Sequence, residues 1–259
     1  MAHEFDGKKY QKASTHQKEW GNKLISELNL KGDEKILDLG CGDGALTQTL
    51  STLVPNGFVV GIDASKGMIE VAKEKESDNL KFLLMDIDNL EINDKFDIIF
   101  SNAALHWVKN HQKLYEKLSI ILNKNGTIRF NFAADGNCSY FFNIVKQTIQ
   151  EKEYQNYFKD FNWPWFMPTL DEYKNITDNF QFSSVKIWGE NADRYFPNKE
   201  ALIGWIEQPS IVPLLEYLPD DKKEPFTNEV IEKMLKTTIQ DDGRYFETFR
   251  RINVFMKKV

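Results

Sequence analysis

The sequence has little of what marks a secreted, membrane-spanning or metal-binding protein. It contains two cysteines, Cys41 and Cys138, which form neither a metal-type pair nor a disulfide framework. No apolar run approaches the roughly 20 residues of a transmembrane helix, and the first residues, MAHEFDGKKYQ, contain no apolar segment typical of a signal peptide. We therefore expect a cytoplasmic protein without a bound metal, in which Cys41 has a structural role.

An excess of positive charge is also missing. The 39 acidic residues outnumber the 33 basic ones, which gives a net charge of −6 and a pI near 5.4. Such a surface does not favour nucleic acid or an anionic membrane. The lysines alternate with acids in stretches such as KEKESD, which is typical of a solvated helix surface. We expect a monomer that acts on a small molecule, with no nucleic-acid or membrane partner.

Short apolar strands alternate with amphipathic helical patterns through the first half of the chain. This alternation indicates an α/β fold with a mostly parallel sheet and helices on both faces. The predicted strands are residues 35–40, 58–63, 80–86, 96–100 and 127–133, with later strands at 182–188 and 247–258.

A further helix is predicted before the first strand. Ser14 and Gln17 have the spacing of a capping box, and an apolar stripe then runs from Trp20 to Leu28 at helical spacing. Gln17 falls on the buried face of this helix, so it is either a cap residue or a polar group that lines a pocket.

Aromatic residues are concentrated in the second half. Phe, Tyr and Trp number 19, 9 and 6 in the whole chain, and more than half of them lie between Tyr140 and Tyr217. They form either ordinary core on the far half of the sheet or an aromatic helical cap over the strand ends. Both can hold at once, and we favour a contribution to a cap that closes an apolar pocket.

Polar residues follow each of the first four predicted strands. In an open parallel sheet, ligands bind outside the carboxyl ends of the strands. A carboxylate after the second strand suits the two vicinal hydroxyls of a ribose, because a carboxylate only accepts hydrogen bonds. We therefore predict a nucleoside-type site, whose candidates at the strand ends are Asp38, Asp63, Asp86 and Asn102, with His106 and Trp107 close behind.

The glycine-rich first turn is compatible with two cofactors. Gly40, Gly42 and Ala45 satisfy the dinucleotide fingerprint, but Asp38 would repel a pyrophosphate and attract a cationic amino-acid group. Asp43 at the start of the next helix also disfavours a phosphate there. The residues favour S-adenosylmethionine, which is cationic at one end and adenosine-like at the other.

The stretches ILDLGCGDG, GIDASKGMIEVA, the Asp86–Ile87 pair and FDIIFSNAALHW stand in the order and spacing of a known family. On these residues the chain resembles the class I S-adenosylmethionine-dependent methyltransferases. Within that family it looks like the branch of trans-aconitate methyltransferase and insect juvenile hormone acid methyltransferase, because of KYQKASTHQKEWG, ALHWV and PSIVPLLEYLP.

The resemblance implies a Rossmann-like sheet of seven strands, the last one antiparallel, with cap helices around the last two strands. It divides the chain into an N-terminal helical lid (1–30), a cofactor-binding core (31–134) and a cap or substrate region (135–259). It assigns the catalytic positions to Gln17, His106 and Trp107, which face the acceptor. It assigns cofactor binding to Tyr10, Asp38, Gly40, Gly42, Asp63, Ala64, Met68, Asp86, Ile87 and Asn102.

Four hypotheses about function follow. The first is methylation of a carboxyl oxygen in an organic or fatty acid-like molecule, which needs no general base. The second is methylation of a hydroxyl, nitrogen or carbon, with His106 as base. The third is an NAD-linked oxidoreductase on a similar fold, and the fourth is a regulator that binds the cofactor without turnover. Arg129 or Arg194 would pair with further substrate carboxylates if they faced the site.

Overall fold

In the computed structural model, residues 15–259 are described, apart from the side chains of residues 15–18, 208 and 209. These residues divide into two compact units. The first contains the described residues up to Ala134, together with Trp165–Glu190 and Arg251–Val259. The second contains Asp135–Pro164 and Asn191–Arg250.

The first unit is built on the predicted seven-stranded sheet. Its strand order is β3-β2-β1-β4-β5-β9-β6; β1 to β5 are parallel, and β9 runs antiparallel to β5. The strands are β1 Lys35–Leu39, β2 Phe58–Asp63, β3 Leu80–Leu84, β4 Phe96–Asn102, β5 Leu122–Ala133, β6 Phe182–Asn191 and β9 Arg250–Lys258. The helices are α1 Thr15–Ser26, α2 Ala45–Leu53, α3 Lys66–Lys73, α4 His111–Ile121 and α6 Leu170–Thr177.

Parallel pairing brings the carboxyl ends of β1 to β5 to one edge of the sheet, as the sequence predicts. Asp38 lies opposite Gly61 on β2 and opposite Phe100 on β4. Asn102, the last residue of β4, lies opposite Asn131 on β5. Asp63 ends β2 and Asn102 ends β4, so these polar residues lie at the same edge of the sheet as Asp38, while the strand interiors contribute to two apolar clusters.

Helix α1 packs on the first unit through the predicted apolar stripe. Trp20, Leu24, Ile25 and Leu28 are all buried, as their helical spacing indicates. The predicted cap residue Ser14 lies outside the described residues.

Charged contacts add to this packing. The buried guanidinium of Arg129 on β5 donates to Glu27 just beyond α1 (2.8 Å) and to Asn253 on β9 (3.1 Å). Lys23 donates to Glu190 on β6 (2.6 Å), and the guanidinium carbon of Arg251 lies 4.5 Å from the centre of the Trp20 ring. Polar side chains on three strands therefore hold α1.

The second unit contains the helices α5 Ser139–Thr148, α7 Lys199–Trp205, α8 Val212–Leu215 and α9 Asp220–Thr238, and the short strands β7 Arg194–Phe196 and β8 Tyr245–Glu247. Strand β8 is antiparallel to β7. The fully buried carboxylate of Glu247 accepts from the backbone N–H groups of Tyr140 (3.2 Å) and Phe141 (2.9 Å). It thereby caps the start of α5, where the helix dipole favours a negative charge.

The prediction of one continuous strand over 247–258 is wrong. The chain leaves the small sheet after Glu247 and enters the large one only at Arg250. Asp193 fixes this break, because its side chain accepts from the backbone N–H of Phe249 (2.9 Å).

The division into lid, core and cap stays a prediction. Within residues 15–259, no helix is long and apolar enough to cross a membrane.

We expect Glu27→Ala to lower the free energy of unfolding by about 2 kcal/mol, because it leaves the buried Arg129 guanidinium without its carboxylate. The Arg129 side chain is 1% exposed and that of Glu27 is 37% exposed. Lys23→Ala is the matched control from the same region. Its ion pair is more exposed, so the loss should stay below about 1 kcal/mol. Urea denaturation of both variants measures the difference, and equal losses would contradict the prediction.

Candidate active site

Asp38 lies near the carboxyl end of β1 and is 2% exposed. Its Oδ2 accepts a hydrogen bond from the Thr47 hydroxyl on α2 (2.7 Å). Burial raises the pKa of Asp38 to about 7; the Thr47 hydrogen bond opposes this shift and the nearby Asp63 charge adds to it. A carboxylate in this position gains stability from a cation placed beside it.

The turn after β1 is held close to the ends of β2 and β4. The backbone N–H groups of Gly40 and Cys41 both donate to the carbonyl of Ile62 (2.8 and 2.9 Å). Gly40 has a φ of +74°, and a Cβ there would lie 2.2 Å from the Cβ of Ala104. Its glycine is therefore required by packing between two loops.

Gly42 has a different environment. It also has positive φ (+55°), but a Cβ added there would have no neighbour within 4 Å. Its backbone therefore borders open space, into which a ligand can approach. Cys41 between the two glycines is buried, and burial raises the pKa of its thiol. This agrees with the structural role expected for it.

Asp63 is the last residue of β2, and its side chain links the loop after β1 to the loop after β2. Its two carboxylate oxygens accept from the backbone N–H groups of Gly42 (3.0 Å) and Ser65 (2.9 Å). A carboxylate has about four acceptor positions, so these bonds orient Asp63 and leave room for hydroxyl donors.

The remaining candidates on this side lie after β2 and β3. Ala64 is half-buried between Asp63 and α3, and Met68 in α3 is buried. Asp86 accepts from the backbone N–H of Asp88 (3.0 Å) and so caps a short 3₁₀ helix that begins with the buried Ile87. Asp86 thus has a local structural role whether or not it also contacts a ligand.

A sharp turn follows β4 at the predicted acceptor side. Asn102 is buried, and Ala103 has a φ of +57°, which is uncommon for a residue with a side chain. The backbone N–H of Ala103 donates to the carbonyl of Asn131 (2.7 Å). This bond helps to hold the bend that leads into the 3₁₀ helix Leu105–Trp107.

His106 and Trp107 lie next to each other on that 3₁₀ helix, with ring centres 5.4 Å apart. Trp165 extends the aromatic group, since its ring centre lies 5.5 Å from that of Trp107. Sequence reasoning placed Trp165 only in the aromatic-rich segment. Its Trp-Pro-Trp context gives no sign that it returns to the first unit.

His106 is neutral at physiological pH. Burial lowers its pKa to about 3, with further contributions from the charge of Arg251 and from His111. Its Nδ1 is buried and has no hydrogen-bond partner among the described residues. An imidazole with so low a pKa is a poor proton acceptor at pH 7, but its N–H group remains a donor.

Arg251 and Asn131 are polar residues near this edge that sequence reasoning missed. Both are buried, and Arg251 Nε donates to Asn131 Oδ1 (2.8 Å). The signal was available, because polar and apolar residues alternate in the segments TIRFNFA and FRRINVF.

The sequence also suggests Arg129, Arg194, Tyr10 and Gln17 as residues of the site. Arg129 does not face a substrate, since its guanidinium is buried against Glu27 and Asn253. Arg194 lies on β7 of the second unit. Tyr10 and the side chain of Gln17 lie outside the described residues.

The charges and hydrogen-bonding groups at this edge of the sheet suit a ligand that is cationic at one end. Asp38 and Asp63 supply negative charge at the first two strand ends, while neutral N–H donors lie after β4. This arrangement fits S-adenosylmethionine and does not fit a pyrophosphate. Among residues 15–259, no group of three or more His, Cys, Asp or Glu side chains is placed to hold a metal ion.

We expect Asp38→Asn to stabilise the protein at high pH while it weakens S-adenosylmethionine binding. The folded protein holds the Asp38 proton more tightly than the unfolded chain does, so this group costs stability as pH rises from about 4 to 7. The variant should therefore gain stability relative to wild type between pH 5 and pH 8, by roughly 3 kcal/mol. Denaturation at the two pH values and calorimetry with S-adenosylmethionine measure both effects. The same stability change at both pH values would contradict the assigned pKa.

Comparison with known proteins shows the family of this chain. Residues 30–181 match the methyltransferase domain family. The chain is 26% identical to an uncharacterised methyltransferase of Schizosaccharomyces pombe, C70.08c, over 98% of both chains. It is 24% identical to trans-aconitate 2-methyltransferase of Escherichia coli over 91% of this chain and 90% of the relative. It is 36% identical to malonyl-[acyl-carrier protein] O-methyltransferase 1 of Ilyobacter polytropus, over 52% of this chain and 50% of the relative.

Solved structures share the fold at low sequence identity. The YcgJ protein of Bacillus subtilis superposes with a TM-score of 0.61 at 17% identity and covers 94% of this chain and 98% of its own. Phosphoethanolamine N-methyltransferase 2 of Haemonchus contortus, solved with phosphomonomethylethanolamine and S-adenosylhomocysteine, has a TM-score of 0.58 at 17% identity, over 93% of this chain and 53% of its own. The chain belongs to the methyltransferase domain family and is a class I S-adenosylmethionine-dependent methyltransferase.

Proposed function

We propose that the enzyme methylates a carboxylate oxygen of a small organic or fatty acid-like molecule. The observation that carries the proposal is the environment of His106. This histidine is neutral, has a pKa of about 3 and lies beside the indole of Trp107. The turn after β4 therefore offers hydrogen-bond donors but no group that takes up a proton near neutral pH.

A carboxylate is the acceptor that such donors suit best. It is already ionised at pH 7, so the enzyme has only to orient it and exclude water. When bound, S-adenosylmethionine would supply an electrophilic methyl group to the carboxylate oxygen and would leave as S-adenosylhomocysteine. Positioning alone can contribute on the order of 7 to 11 kcal/mol to such a step. The positive charge of Arg251, which also lowers the pKa of His106, favours an anionic acceptor.

Two relatives support this choice of acceptor. The names of the Ilyobacter and Escherichia coli proteins give O-methylation of malonyl-[acyl-carrier protein] and methylation of trans-aconitate. Both names describe acids, which agrees with an acceptor side that has donors and no base.

The residues at the strand ends would hold the cofactor. Asp38 pairs with its ammonium group, the backbone at Gly40 and Gly42 borders its methionine part, and Asp63 accepts from the ribose hydroxyls. Ala64, Met68, Asp86 and Ile87 would surround the adenine, and Asn102 would line the methionine side. The resemblance gives Tyr10 and Gln17, which lie outside the described residues and side chains, the role of closing the site. Gln17, His106 and Trp107 orient the acceptor.

We expect a panel of free acids to identify substrates, scored by S-adenosylhomocysteine release. The panel contains trans-aconitate, benzoate and saturated fatty acids of six to twelve carbons, and the matching primary alcohols and amides are controls. Acids should turn over and the matched alcohols should not, since the described turn after β4 contains no base that would deprotonate a hydroxyl near neutral pH. Turnover of alcohols but not acids would overturn the proposal.

We expect Trp107→Phe, which keeps an aromatic ring but removes the indole N–H together with part of the ring, to lower the rate by about tenfold at saturating cofactor. Gln17→Ala should lower it comparably. The matched control is Trp188→Phe, since Trp188 lies on β6 and packs against Arg129. If the Gln17 and Trp107 variants both methylate as fast as wild type, the role given to these residues is wrong.

The second candidate keeps the cofactor and uses a hydroxyl, amine or carbon acceptor with His106 as base. Its pKa of about 3 argues against that role, and the pH dependence separates the two. For a carboxylate acceptor at saturating cofactor, we expect kcat to stay flat from pH 6 to pH 9. A tenfold rise per pH unit within that range would favour a base-dependent acceptor instead.

A further inference from the structure

The turn that carries His106 and Trp107 is held from behind by a buried hydrogen-bond chain. His111, at the start of α4, is 1% exposed, and its Nε2 lies 3.0 Å from the carbonyl oxygen of Leu105. Its Nδ1 lies 3.1 Å from the hydroxyl of Tyr173 on α6. The Tyr173 hydroxyl in turn lies 3.0 Å from that of Tyr115, and both tyrosines are fully buried.

The chemistry of these groups fixes the direction of every bond in the chain. A carbonyl oxygen only accepts, so the His111 Nε2 carries a hydrogen and donates it to Leu105. Burial lowers the pKa of His111 to about 4, so its ring is neutral and Nδ1 accepts from Tyr173. Because the single hydroxyl hydrogen of Tyr173 is then committed to His111, Tyr173 accepts from Tyr115.

A second hydrogen bond also holds this turn. The backbone N–H of Phe166 donates to the carbonyl of His106 (2.7 Å). The Phe166 ring lies 4.9 Å from the ring of His111. His111 therefore contacts both the turn and the segment that closes over it.

We propose that His111 is a positioning residue for methyl transfer, which acts by holding the Leu105 carbonyl and thereby the orientation of His106 and Trp107 toward the acceptor. This inference rests on the acceptor role proposed above for those two residues. His111 itself contacts neither the reacting atoms nor the cofactor residues Asp38 and Asp63. A displacement of the turn by about 1 Å would be enough to lower the rate by about a hundredfold.

Two substitutions of His111 distinguish its bond to Leu105 from its bond to Tyr173. In His111→Gln the amide nitrogen falls near the former Nε2, so the bond to Leu105 is retained. In His111→Asn the amide falls near the former Nδ1, so the bond to Leu105 is lost. We expect His111→Asn to lower kcat by at least about tenfold with the S-adenosylmethionine Kd within about twofold of wild type, and we expect His111→Gln to restore most of kcat.

The control is Asn79→Ala, which removes partly buried hydrogen bonds to the carbonyl oxygens of Ser51 (2.9 Å) and Val54 (3.1 Å) just before β3. It should lower the Tm without lowering kcat. Amide hydrogen exchange at residues 105–108 provides a readout that needs no acceptor, and it should be faster in His111→Asn than in wild type or His111→Gln. Tyr173→Phe is a further variant, expected to accelerate the same exchange to a smaller extent.

The outcomes are distinct. Equal exchange at residues 105–108 in His111→Asn and wild type would overturn the inference, and so would a loss of kcat that Asn79→Ala reproduces. Kinetics are measured with the acid of highest turnover in the panel. If no acid turns over, the proposed function fails, while the exchange comparison still decides the inference about His111.

Discussion

The hydrogen bond from the Thr47 hydroxyl to Asp38 joins the first strand to the first helix after it, inside a region that water does not reach. It partly offsets the cost of burying a carboxylate, and that cost is what prepares the site for a cation. Asp63 then ties the glycine-rich turn to the second strand. The loops that meet at this edge of the sheet depend on this pair of acids for both their shape and their charge.

The proposed acceptor side depends more on orientation. The position of the turn after β4 is set by backbone bonds to Asn131 and Phe166 and by the His111 side chain, and the positive charge of Arg251 acts on His106 from nearby. In the proposed function, the two acids attract one end of the cofactor, while the position of this turn and the charge of Arg251 favour an anionic acceptor. The two regions lie side by side at one edge of the sheet, because β1 and β4 are neighbouring strands.

The sequence was sufficient to predict the first five strands, because each contains a short apolar run that is followed by polar residues or glycine. The sequence was not sufficient to predict the surroundings of the polar residues inside β5 and β9. Alternation places Arg129, Asn131 and Arg251 on one face of the sheet but does not say whether water or a helix covers it. The structure places α1 there, and Glu27 on the following turn neutralises Arg129. The break between Glu247 and Arg250 depends on Asp193, which is more than fifty residues away in sequence. No local sequence pattern therefore predicts this break.

The strand order has a consequence for the synthesis of this protein. Among the described strands of the large sheet, β6 has β9 as its single neighbour, and β9 is made after the whole of the segment 192–249. At about 5 to 20 residues per second on the ribosome, roughly 3 to 12 seconds pass between the synthesis of β6 and that of β9. During this interval the backbone N–H and C=O groups of β6 lack the partner strand, and an unpaired strand of this kind is a risk for aggregation.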